Sequence, residues 1–246
     1  MELVIVTGSS KGLGLSICKR LLKENYKIVG ISRTKSEEFI ILENENEGRV
    51  FYEQYDFNDT KGIRDLVKSI TKNYGEIYGL VNNAALGYDG VLGTMHEKQI
   101  EEMIRVNIQA PIILTKYVSR SMLLKLRGRI INISSIIAST GFNGLSVYAA
   151  TKAALNGFTK SLARELGKAN ITVNSIAPGY METSMTVGLQ GEKLEIIKRR
   201  TPLGRLTTVE DVAAGVAYLL SDEAKNITGT ILTIDSGSTA WFIQRL

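Results

Sequence analysis

The amino-acid sequence predicts a doubly wound α/β fold, in which a seven-stranded parallel sheet is flanked by helices on both faces. Three observations support this prediction. Short apolar runs alternate with longer amphipathic segments, a glycine-rich turn follows the first run, and no Pro/Ser-rich or low-complexity stretch resembles a linker. Because 246 residues are an ordinary length for one α/β unit, we expect residues 1–246 to form a single domain.

Seven apolar runs have the length and composition of strands buried in a parallel sheet. In chain order they are Leu3–Val6, Lys27–Ile31, Val50–Tyr55, Tyr78–Val81, Arg129–Ile133, Thr172–Ile176 and Thr230–Ile234. The segments between them predict helices that begin near Gly12, Glu37, Lys61, Glu97, Tyr148 and Val209. In the first helix, Leu13, Ile17 and Leu21 follow helical spacing and provide an apolar face.

The helix that begins near Glu97 contains Pro111, which has no N–H to donate to the carbonyl of Asn107. One interpretation is a local kink whose free carbonyl holds a water molecule near Lys152, so that the lysine exchanges protons with solvent. The other is a bent structural helix in which Asn107 is merely polar. The residues alone leave both interpretations open.

Composition argues against several classes of function. The net charge is +5, but lysine and arginine are scattered and the densest group, 198–200, is short, so we expect solvated helix faces and no nucleic-acid binding. The single cysteine, Cys18, and the single histidine, His96, exclude an internal disulfide and thiolate or multi-histidine metal sites. We expect Cys18 to be buried and His96 to lie at the surface where a helix begins. No apolar run approaches about 20 residues and no leader precedes the first strand, so we expect a cytoplasmic protein without a membrane span.

A glycine-rich turn, "TGSSKGLG", joins the first strand to the first helix. Gly8, Gly12 and Gly14 allow the backbone to approach a pyrophosphate, which would bind to free N–H groups at the positive end of the helix dipole. The spacing is G-x3-G-x-G, which differs from the G-x-G-x-x-G fingerprint, and a tight strand-to-helix crossing is the structural alternative. Its place after the first strand of an α/β pattern favours nucleotide binding.

The end of the second strand indicates which dinucleotide binds. NAD-binding folds place an acidic residue here to hold the ribose hydroxyls, but this chain has Ser32 and Arg33 in "VGISRTKS", and Lys11 adds a cation from the glycine loop. A guanidinium group binds a 2′-phosphate with two parallel hydrogen bonds, whereas a carboxylate would repel it. The sequence therefore predicts NADP(H); taken separately, Lys11 and Arg33 are also compatible with ordinary surface charges.

The alanine-rich segment "SVYAATKAAL" predicts a helix that places Tyr148 and Lys152 one turn apart on the same face. A tyrosine that acts as acid and base near neutral pH needs its pKa lowered by about 3, which corresponds to about 4 kcal/mol. We expect the ammonium group of Lys152 to supply part of that. Ser134 and Ser135 end the predicted strand in "RIINISSI", and a hydroxyl there can hydrogen-bond a substrate carbonyl oxygen in the same cleft.

Six motifs occur in order: the glycine loop, "NNAA" after the fourth strand, Asn107, the serine pair, Tyr148 with Lys152, and "APG" after the sixth strand. Over nearly its whole length the chain resembles the short-chain dehydrogenase/reductase family. The resemblance implies a Rossmann fold and a catalytic tetrad of Asn107, Ser135, Tyr148 and Lys152. Ser135 is preferred to Ser134 because the family places this serine thirteen positions before the tyrosine. Tyr148 would protonate the carbonyl oxygen as hydride arrives, and Lys152 would also hold the nicotinamide ribose.

The resemblance also implies a cofactor site, in which Asp56 and Phe57 lie near adenine and Thr183 binds the nicotinamide carboxamide. The implied cofactor-binding residues are Gly8, Ser10, Lys11, Gly12, Leu13, Gly14, Arg33, Asp56, Phe57, Asn83, Ala84, Ala85, Tyr148, Lys152, Pro178, Gly179 and Thr183. Two positions depart from the family pattern, since Ala85 and Ser236 stand where glycine is usual.

Within the family the chain is most similar to 3-oxoacyl-[acyl-carrier-protein] reductases, through "SVYAATKAAL", "PGYMETSM" and "TPLGRLTTVEDVAAGVAYLLSDEAKNITGTIL". This similarity implies NADPH-dependent reduction of the ketone of a β-ketoacyl thioester and a substrate lid at about 181–208. An acyl carrier protein is the implied partner. The two arginines expected on its docking surface are replaced by Leu126 and Ala169, and the neighbouring Arg127 and Lys168 are the candidate substitutes.

Two alternatives to this function stay open. One is reduction or oxidation of another small or cyclic ketone or alcohol, and the other is a dinucleotide-binding sensor without catalysis, since fold alone does not determine chemistry. The resemblance also implies a homotetramer joined through long helices and the last strand. The apolar tail "AWFIQRL", with Trp241 and Phe242, would pack on a neighbouring subunit or within its own chain.

Overall fold

The computed structural model describes residues 1–181, 198 and 201–240. Their strands form a seven-stranded parallel sheet in the order β3-β2-β1-β4-β5-β6-β7, which confirms the predicted fold class. The strands are β1 (Leu3–Thr7), β2 (Lys27–Ser32), β3 (Val50–Gln54), β4 (Ile77–Asn82), β5 (Gly128–Ile133), β6 (Ile171–Pro178) and β7 (Ile231–Ile234). Strands β1 to β3 are added towards one edge of the sheet and β4 to β7 towards the other. The order of the strands therefore reverses between β1 and β4, and folds of this kind bind ligands in the crevice at the carboxyl ends of these two strands.

Helices cover both faces of the sheet. They are α1 (Gly12–Lys23), α2 (Glu37–Glu45), α3 (Ile63–Tyr74), α4 (Glu97–Ile104), α5 (Ala110–Lys125), α6 (Ile137–Thr140), α7 (Ser146–Leu166) and α8 (Val209–Leu220). Side chains of β1 alternate between two cores: Val4 and Val6 pack with α1 and α8, and Leu3 and Ile5 pack with α3, α5 and α7. This alternation is the strand periodicity of two, and it places α7 and α5 on the same face.

Most predicted boundaries lie within two residues of the observed ones. The helix predicted near Lys61 begins at Ile63 because Asp59 Oδ1 first accepts hydrogen bonds from the N–H groups of Lys61 and Gly62. Strand β6 extends to Pro178, which pairs with Ile234 of β7. A proline is tolerated at this strand end because only its N–H is missing from the ladder.

The segment before Pro111 is a π-helical turn, Arg105–Gln109, that connects α4 to α5. The N–H of Ala110 donates to the carbonyl of Arg105, five residues earlier. The wider turn accommodates the N–H that proline lacks, and single π turns of this kind occur frequently at functional sites. The kink predicted from the sequence is therefore a π-helical turn, and Asn107 lies within it.

Single-residue expectations from composition agree with the structure. Cys18 is fully buried, and His96 is exposed at the N-cap of α4. Among the described residues, no helix combines the length and the apolar character needed to cross a bilayer.

Candidate active site

The glycine loop is wound tightly between β1 and α1. Gly8 adopts a φ of +67° and donates its N–H to the carbonyl of Ile31 at 2.7 Å. A Cβ on Gly14 would lie 2.1 Å from the Gly8 oxygen, whereas Gly12, with a φ of +54°, faces open space. The first turn of α1 contains no acidic residue, so the residues present fit an anionic pyrophosphate at this helix N-terminus. Ser10 is fixed by a hydrogen bond from the Ser36 hydroxyl to its carbonyl.

Thr7, which sequence reasoning missed, joins this loop to the loop after β4. Its Oγ1 accepts hydrogen bonds from the backbone N–H groups of Asn83 and Ala84, each at 2.9 Å. The amide of Asn83 donates to the Thr7 carbonyl at 2.8 Å. Asn83, Ala84 and the glycine loop are therefore brought together, and their role in cofactor binding stays a prediction. The available signal was the position of Thr7 immediately before Gly8 at a strand end.

The end of β2 and the glycine loop each present one exposed cation that a ligand could bind. Arg33 and Lys11 are exposed, and within the described part of the chain neither takes part in an ion pair. Ser32, in contrast, is buried, and its hydroxyl donates to the Thr34 carbonyl at 3.1 Å. A guanidinium and an ammonium group without carboxylate partners fit a phosphate monoester.

Asp56 and Phe57 follow β3 at the same edge of the sheet, and their environments differ. Asp56 is exposed, and its Oδ1 accepts the N–H of Asn58 at 2.9 Å. Phe57 is buried against the edge of the Tyr55 ring. Phe57 is thus part of the core beneath the predicted adenine site.

Helix α7 presents Tyr148 and Lys152 from the same face. Lys152 is only 3% exposed, and its Nζ donates to the carbonyl of Ile133 at 2.8 Å and lies 5.6 Å from the centre of the Tyr148 ring. Ser134 is also buried, and its hydroxyl donates to the Lys152 carbonyl at 3.1 Å. Ser135 is half-buried, and its Oγ accepts the N–H of Ile137 at 3.2 Å. Of the serine pair, Ser134 therefore anchors α7, and Ser135 keeps its hydroxyl proton for another acceptor.

The pKa values of the pair differ from the sequence-based expectation. Part of the Tyr148 side chain is exposed, but burial of the remainder raises its pKa to about 12. Burial of the Lys152 ammonium group lowers its pKa to about 8. Desolvation disfavours the charged form of each group, and the ammonium group is directed at the Ile133 carbonyl. The expected lowering of the Tyr148 pKa by Lys152 is therefore absent from the protein alone.

Asn107 is almost fully buried, and its side-chain amide bridges two elements. Its Oδ1 accepts the N–H of Leu86 at 2.8 Å, and its Nδ2 donates to the Leu86 carbonyl at 2.8 Å and to Thr151 Oγ1 at 3.1 Å. Thr151 in turn donates to the Tyr148 carbonyl at 2.8 Å. Sequence reasoning missed Leu86 and Thr151, although Thr151 lies between Tyr148 and Lys152. The side chain of Asn107 is thus fully engaged, which leaves only its main-chain carbonyl for a water. That water stays a prediction.

Comparison with known proteins identifies the family of this chain. The short chain dehydrogenase family model matches residues 2–193. The chain belongs to the short-chain dehydrogenase/reductase family. It is 36% identical over 239 residues to the 3-oxoacyl-[acyl-carrier-protein] reductase FabG of Escherichia coli, with 96% of each chain covered. It is 37% identical to the FabG of Haemophilus influenzae, covering 96% of this chain and 97% of that one, and 38% identical to carbonyl reductase family member 4 of Xenopus tropicalis, covering 94% and 95%.

Family membership confirms the predicted enzyme class, an oxidoreductase. In this short-chain dehydrogenase/reductase, Pro178 and Gly179 lie at the end of β6, beside the loop after β7. A Cβ on Gly179 would lie 2.7 Å from the Asp235 Cα, so glycine is required for this contact. Ser236, where the family pattern has glycine, adopts a φ of +56°.

Thr183 lies outside the described residues, together with most of the predicted lid at 181–208 and the tail residues Trp241 and Phe242.

The two candidate cations of the predicted carrier-protein docking surface, Arg127 and Lys168, differ in their surroundings. Arg127 forms ion pairs with Glu2 at 2.5 Å and Asp222 at 3.6 Å, and its guanidinium lies over the Tyr78 ring. Leu126 is exposed beside it. Arg127 remains exposed despite these ion pairs, and its role as a substitute for a docking arginine stays a prediction. Lys168 is exposed.

Proposed function

We propose that this short-chain dehydrogenase/reductase uses NADPH to reduce the ketone of a β-ketoacyl thioester to the 3-hydroxyacyl product. The observation that carries the proposal is the pair formed by Tyr148 and the buried Lys152, whose Nζ is 2.8 Å from the Ile133 carbonyl, at the carboxyl end of a central strand. The names of the FabG relatives, which match over nearly their whole length, support the choice of substrate.

The cofactor residues fit the dinucleotide part by part. The loop of Gly8, Gly12 and Gly14 would bind the pyrophosphate, and Arg33 with Lys11 would bind the 2′-phosphate. Asp56, Phe57, Asn83, Ala84 and Ala85 would flank the adenosine. Ser10, Leu13, Tyr148, Lys152, Pro178, Gly179 and Thr183 complete the proposed set. When bound, NADPH supplies the hydride.

The catalytic roles follow from the chemistry of the side chains. With a pKa of about 12, the Tyr148 phenol is protonated at neutral pH and can give its proton to the carbonyl oxygen, which suits reduction rather than oxidation. The Ser135 hydroxyl would donate a hydrogen bond to the same oxygen and stabilise its growing charge. The Lys152 ammonium group lies close enough to stabilise the phenolate that results, and Asn107 holds α7 through Thr151.

Further proposals concern the whole molecule. Residues 1–246 form one domain, in which about 181–208 cover the substrate, and the protein is a cytoplasmic homotetramer by similarity to its family. An acyl carrier protein as the carrier of the thioester rests on the names of the relatives alone, because the positions of its docking arginines hold Leu126 and Ala169.

A second substrate class is supported by the relative named as a carbonyl reductase, which is 38% identical. On that reading the substrate is another small or cyclic ketone. A dinucleotide-binding sensor without catalysis is the third reading, and the complete tetrad of Asn107, Ser135, Tyr148 and Lys152 argues against it.

The deciding experiment follows NADPH absorbance with acetoacetyl-CoA and with a panel of small and cyclic ketones. We expect turnover of the thioester, and we expect Tyr148→Phe to reduce the rate by at least about 100-fold because general acid catalysis is lost. NADPH binding, measured by fluorescence, should be retained by the variant. Equal rates for the variant and the parent would refute the role of Tyr148. Turnover of ketones but not thioesters would favour the second class, and turnover of neither would favour the sensor.

A further inference from the structure

A row of polar side chains crosses three adjacent strands, β4, β5 and β6, just below the candidate active site. Asn82 of β4 is in register with Asn132 of β5, and Asn132 is in register with Ser175 of β6. All three are buried, and Asn132 and Ser175 are inaccessible to solvent. In a parallel sheet covered on both faces such positions are normally apolar, so this row requires a physical reason.

The row is hydrogen-bonded to the helices on one face of the sheet. The Asn82 amide donates to Asn132 Oδ1 at 2.8 Å and to Thr115 Oγ1 of α5 at 3.0 Å. The Asn132 amide donates to Thr159 Oγ1 of α7 at 2.8 Å, and the hydroxyls of Thr159 and Ser175 are 2.7 Å apart. We call these five residues the polar row. It links α5, β5 and α7, which carry or adjoin the four residues of the proposed tetrad, Asn107, Ser135, Tyr148 and Lys152.

The polar row ties α7 to β5 at a point two helical turns from Lys152. Thr159 follows Lys152 by seven residues, which returns to the same helix face about 10 Å further along the axis. At the other end, the Ser134 hydroxyl donates to the Lys152 carbonyl at 3.1 Å. Two ties at different heights fix both the position and the tilt of a helix. Apolar packing alone would allow small sliding, because it lacks direction.

The position of α7 determines the contact on which the lysine depends. Lys152 Nζ reaches the Ile133 carbonyl at 2.8 Å, and Ile133 follows Asn132 directly in β5. A hydrogen bond of this length is lost after a shift of less than 1 Å. The hydrogen bond from the Asn132 amide to Thr159 therefore sets the distance between α7 and β5. The next residue of β5, Ile133, provides the carbonyl that binds the Lys152 ammonium group.

We propose that Asn132 and Thr159 are positioning residues, which hold α7 so that Lys152 remains hydrogen-bonded to the Ile133 carbonyl during turnover. Asn82, Thr115 and Ser175 support them by fixing the orientation of the Asn132 amide and the Thr159 hydroxyl. This inference rests on the proposed catalytic role of Lys152.

The test compares Thr159→Val, which removes the hydroxyl and keeps the shape, with Thr172→Val as a matched control. Thr172 lies in β6, is buried, and its hydroxyl has no hydrogen-bond partner among the described residues. The measured quantities are the pH profile of kcat/KM for NADPH-dependent reduction and the dissociation constant of NADPH. In the parent protein we expect kcat/KM to fall above about pH 8, as Lys152 loses its proton.

Thr159→Val should lower kcat/KM by about 10- to 100-fold, the scale expected for sub-ångström misplacement of a reacting group. The fall of its kcat/KM at alkaline pH, the alkaline limb of the profile, should move to lower pH. A longer distance from Lys152 Nζ to the Ile133 carbonyl stabilises the ammonium group less. NADPH binding should weaken less than kcat/KM, because Lys152 is only one of the proposed cofactor contacts. Thr159→Ser, which keeps the hydroxyl, should restore both the rate and the limb. Thr172→Val should match the parent protein in every measurement.

Thr159→Val with the parent's rate and alkaline limb would overturn the inference. If Thr159→Val does not fold, Ser175→Ala takes its place: a displaced limb with a smaller rate loss supports the inference, and an unmoved limb overturns it. An alkaline limb that is absent from the parent protein itself would instead contradict the proposed role of Lys152. The two failures are therefore distinguishable.

Discussion

Replacing Lys152 with methionine should stabilise the protein at neutral pH while it removes activity. The side chain is 3% exposed, and burial lowers its pKa from 10.5 to about 8. A pKa difference of this size corresponds to about 3 kcal/mol, which is the free energy that burying the ammonium group costs. Methionine has a similar length without the charge. Its loss of the hydrogen bond to Ile133 costs about 1 kcal/mol, so the expected net gain at pH 7 is about 2 kcal/mol.

The sign of the pH dependence follows from where each state holds its proton. Below pH 8 the lysine is charged in the folded and the unfolded protein, so the full penalty applies. Between pH 8 and 10.5 the folded protein loses the proton first, and the parent protein becomes more stable relative to Lys152→Met. Above 10.5 both states are neutral and the penalty is gone. The lost hydrogen bond changes the offset between the two proteins but not this slope.

The assay is urea unfolding followed by far-UV circular dichroism from pH 7 to pH 10, at equal protein concentration because association affects apparent stability. The advantage of Lys152→Met should shrink steadily above pH 8 and approach zero by pH 10. Lys160→Met, at an exposed position of the same helix, is the control for replacing a lysine of α7 with methionine. An advantage of Lys152→Met that stays constant across this range would refute the claim that Lys152 is desolvated.

Three further substitutions test individual features. Arg33→Ala should raise the KM for NADPH by about 10- to 100-fold through the loss of charge-assisted hydrogen bonds, with the KM for NADH unchanged; an equal effect on both cofactors would contradict 2′-phosphate recognition. Ser236→Gly should raise Tm by about 2–4 °C, because relief of a left-handed conformation gains about 1 kcal/mol, and a lower Tm would show that the 3.3 Å contact of its hydroxyl with Thr207 outweighs strain. Thr208→Ala removes a capping box with Asp211 and should cost about 1 kcal/mol in chemical denaturation, whereas Thr208→Ser should not.

The fold was predictable because the signals that set it are local. The apolar run Leu3–Val6, the glycine turn after it and the helical spacing of Leu13, Ile17 and Leu21 each act within a few residues, and parallel strands require crossover helices. The same holds for Tyr148 and Lys152, since one helical turn fixes their separation. Pro111 likewise predicted a distortion of the helix, although the π-helical form of the turn depends on how α4 and α5 pack.

Features that depend on distant partners were not predictable. The pKa of Lys152 follows from burial, which no window of sequence reports, and the direction for Tyr148 was opposite to the one expected. The ion pairs of Arg127 with Glu2 and Asp222 join residues from near the two ends of the chain, so no local pattern predicts them. The register of Asn82 with Asn132, which are fifty residues apart, is invisible before the strands pair.

The pKa shifts of the two groups bear on how protons would move through the proposed site. Burial holds Tyr148 as a phenol with a pKa of about 12, and it would become a phenolate on protonating the carbonyl oxygen. Lys152, with a pKa of about 8, is the stronger acid of the two groups. A group with a pKa near the working pH is also the one best suited to regain its proton from solvent. Burial therefore brings the pKa of the lysine, and not that of the tyrosine, towards neutral pH.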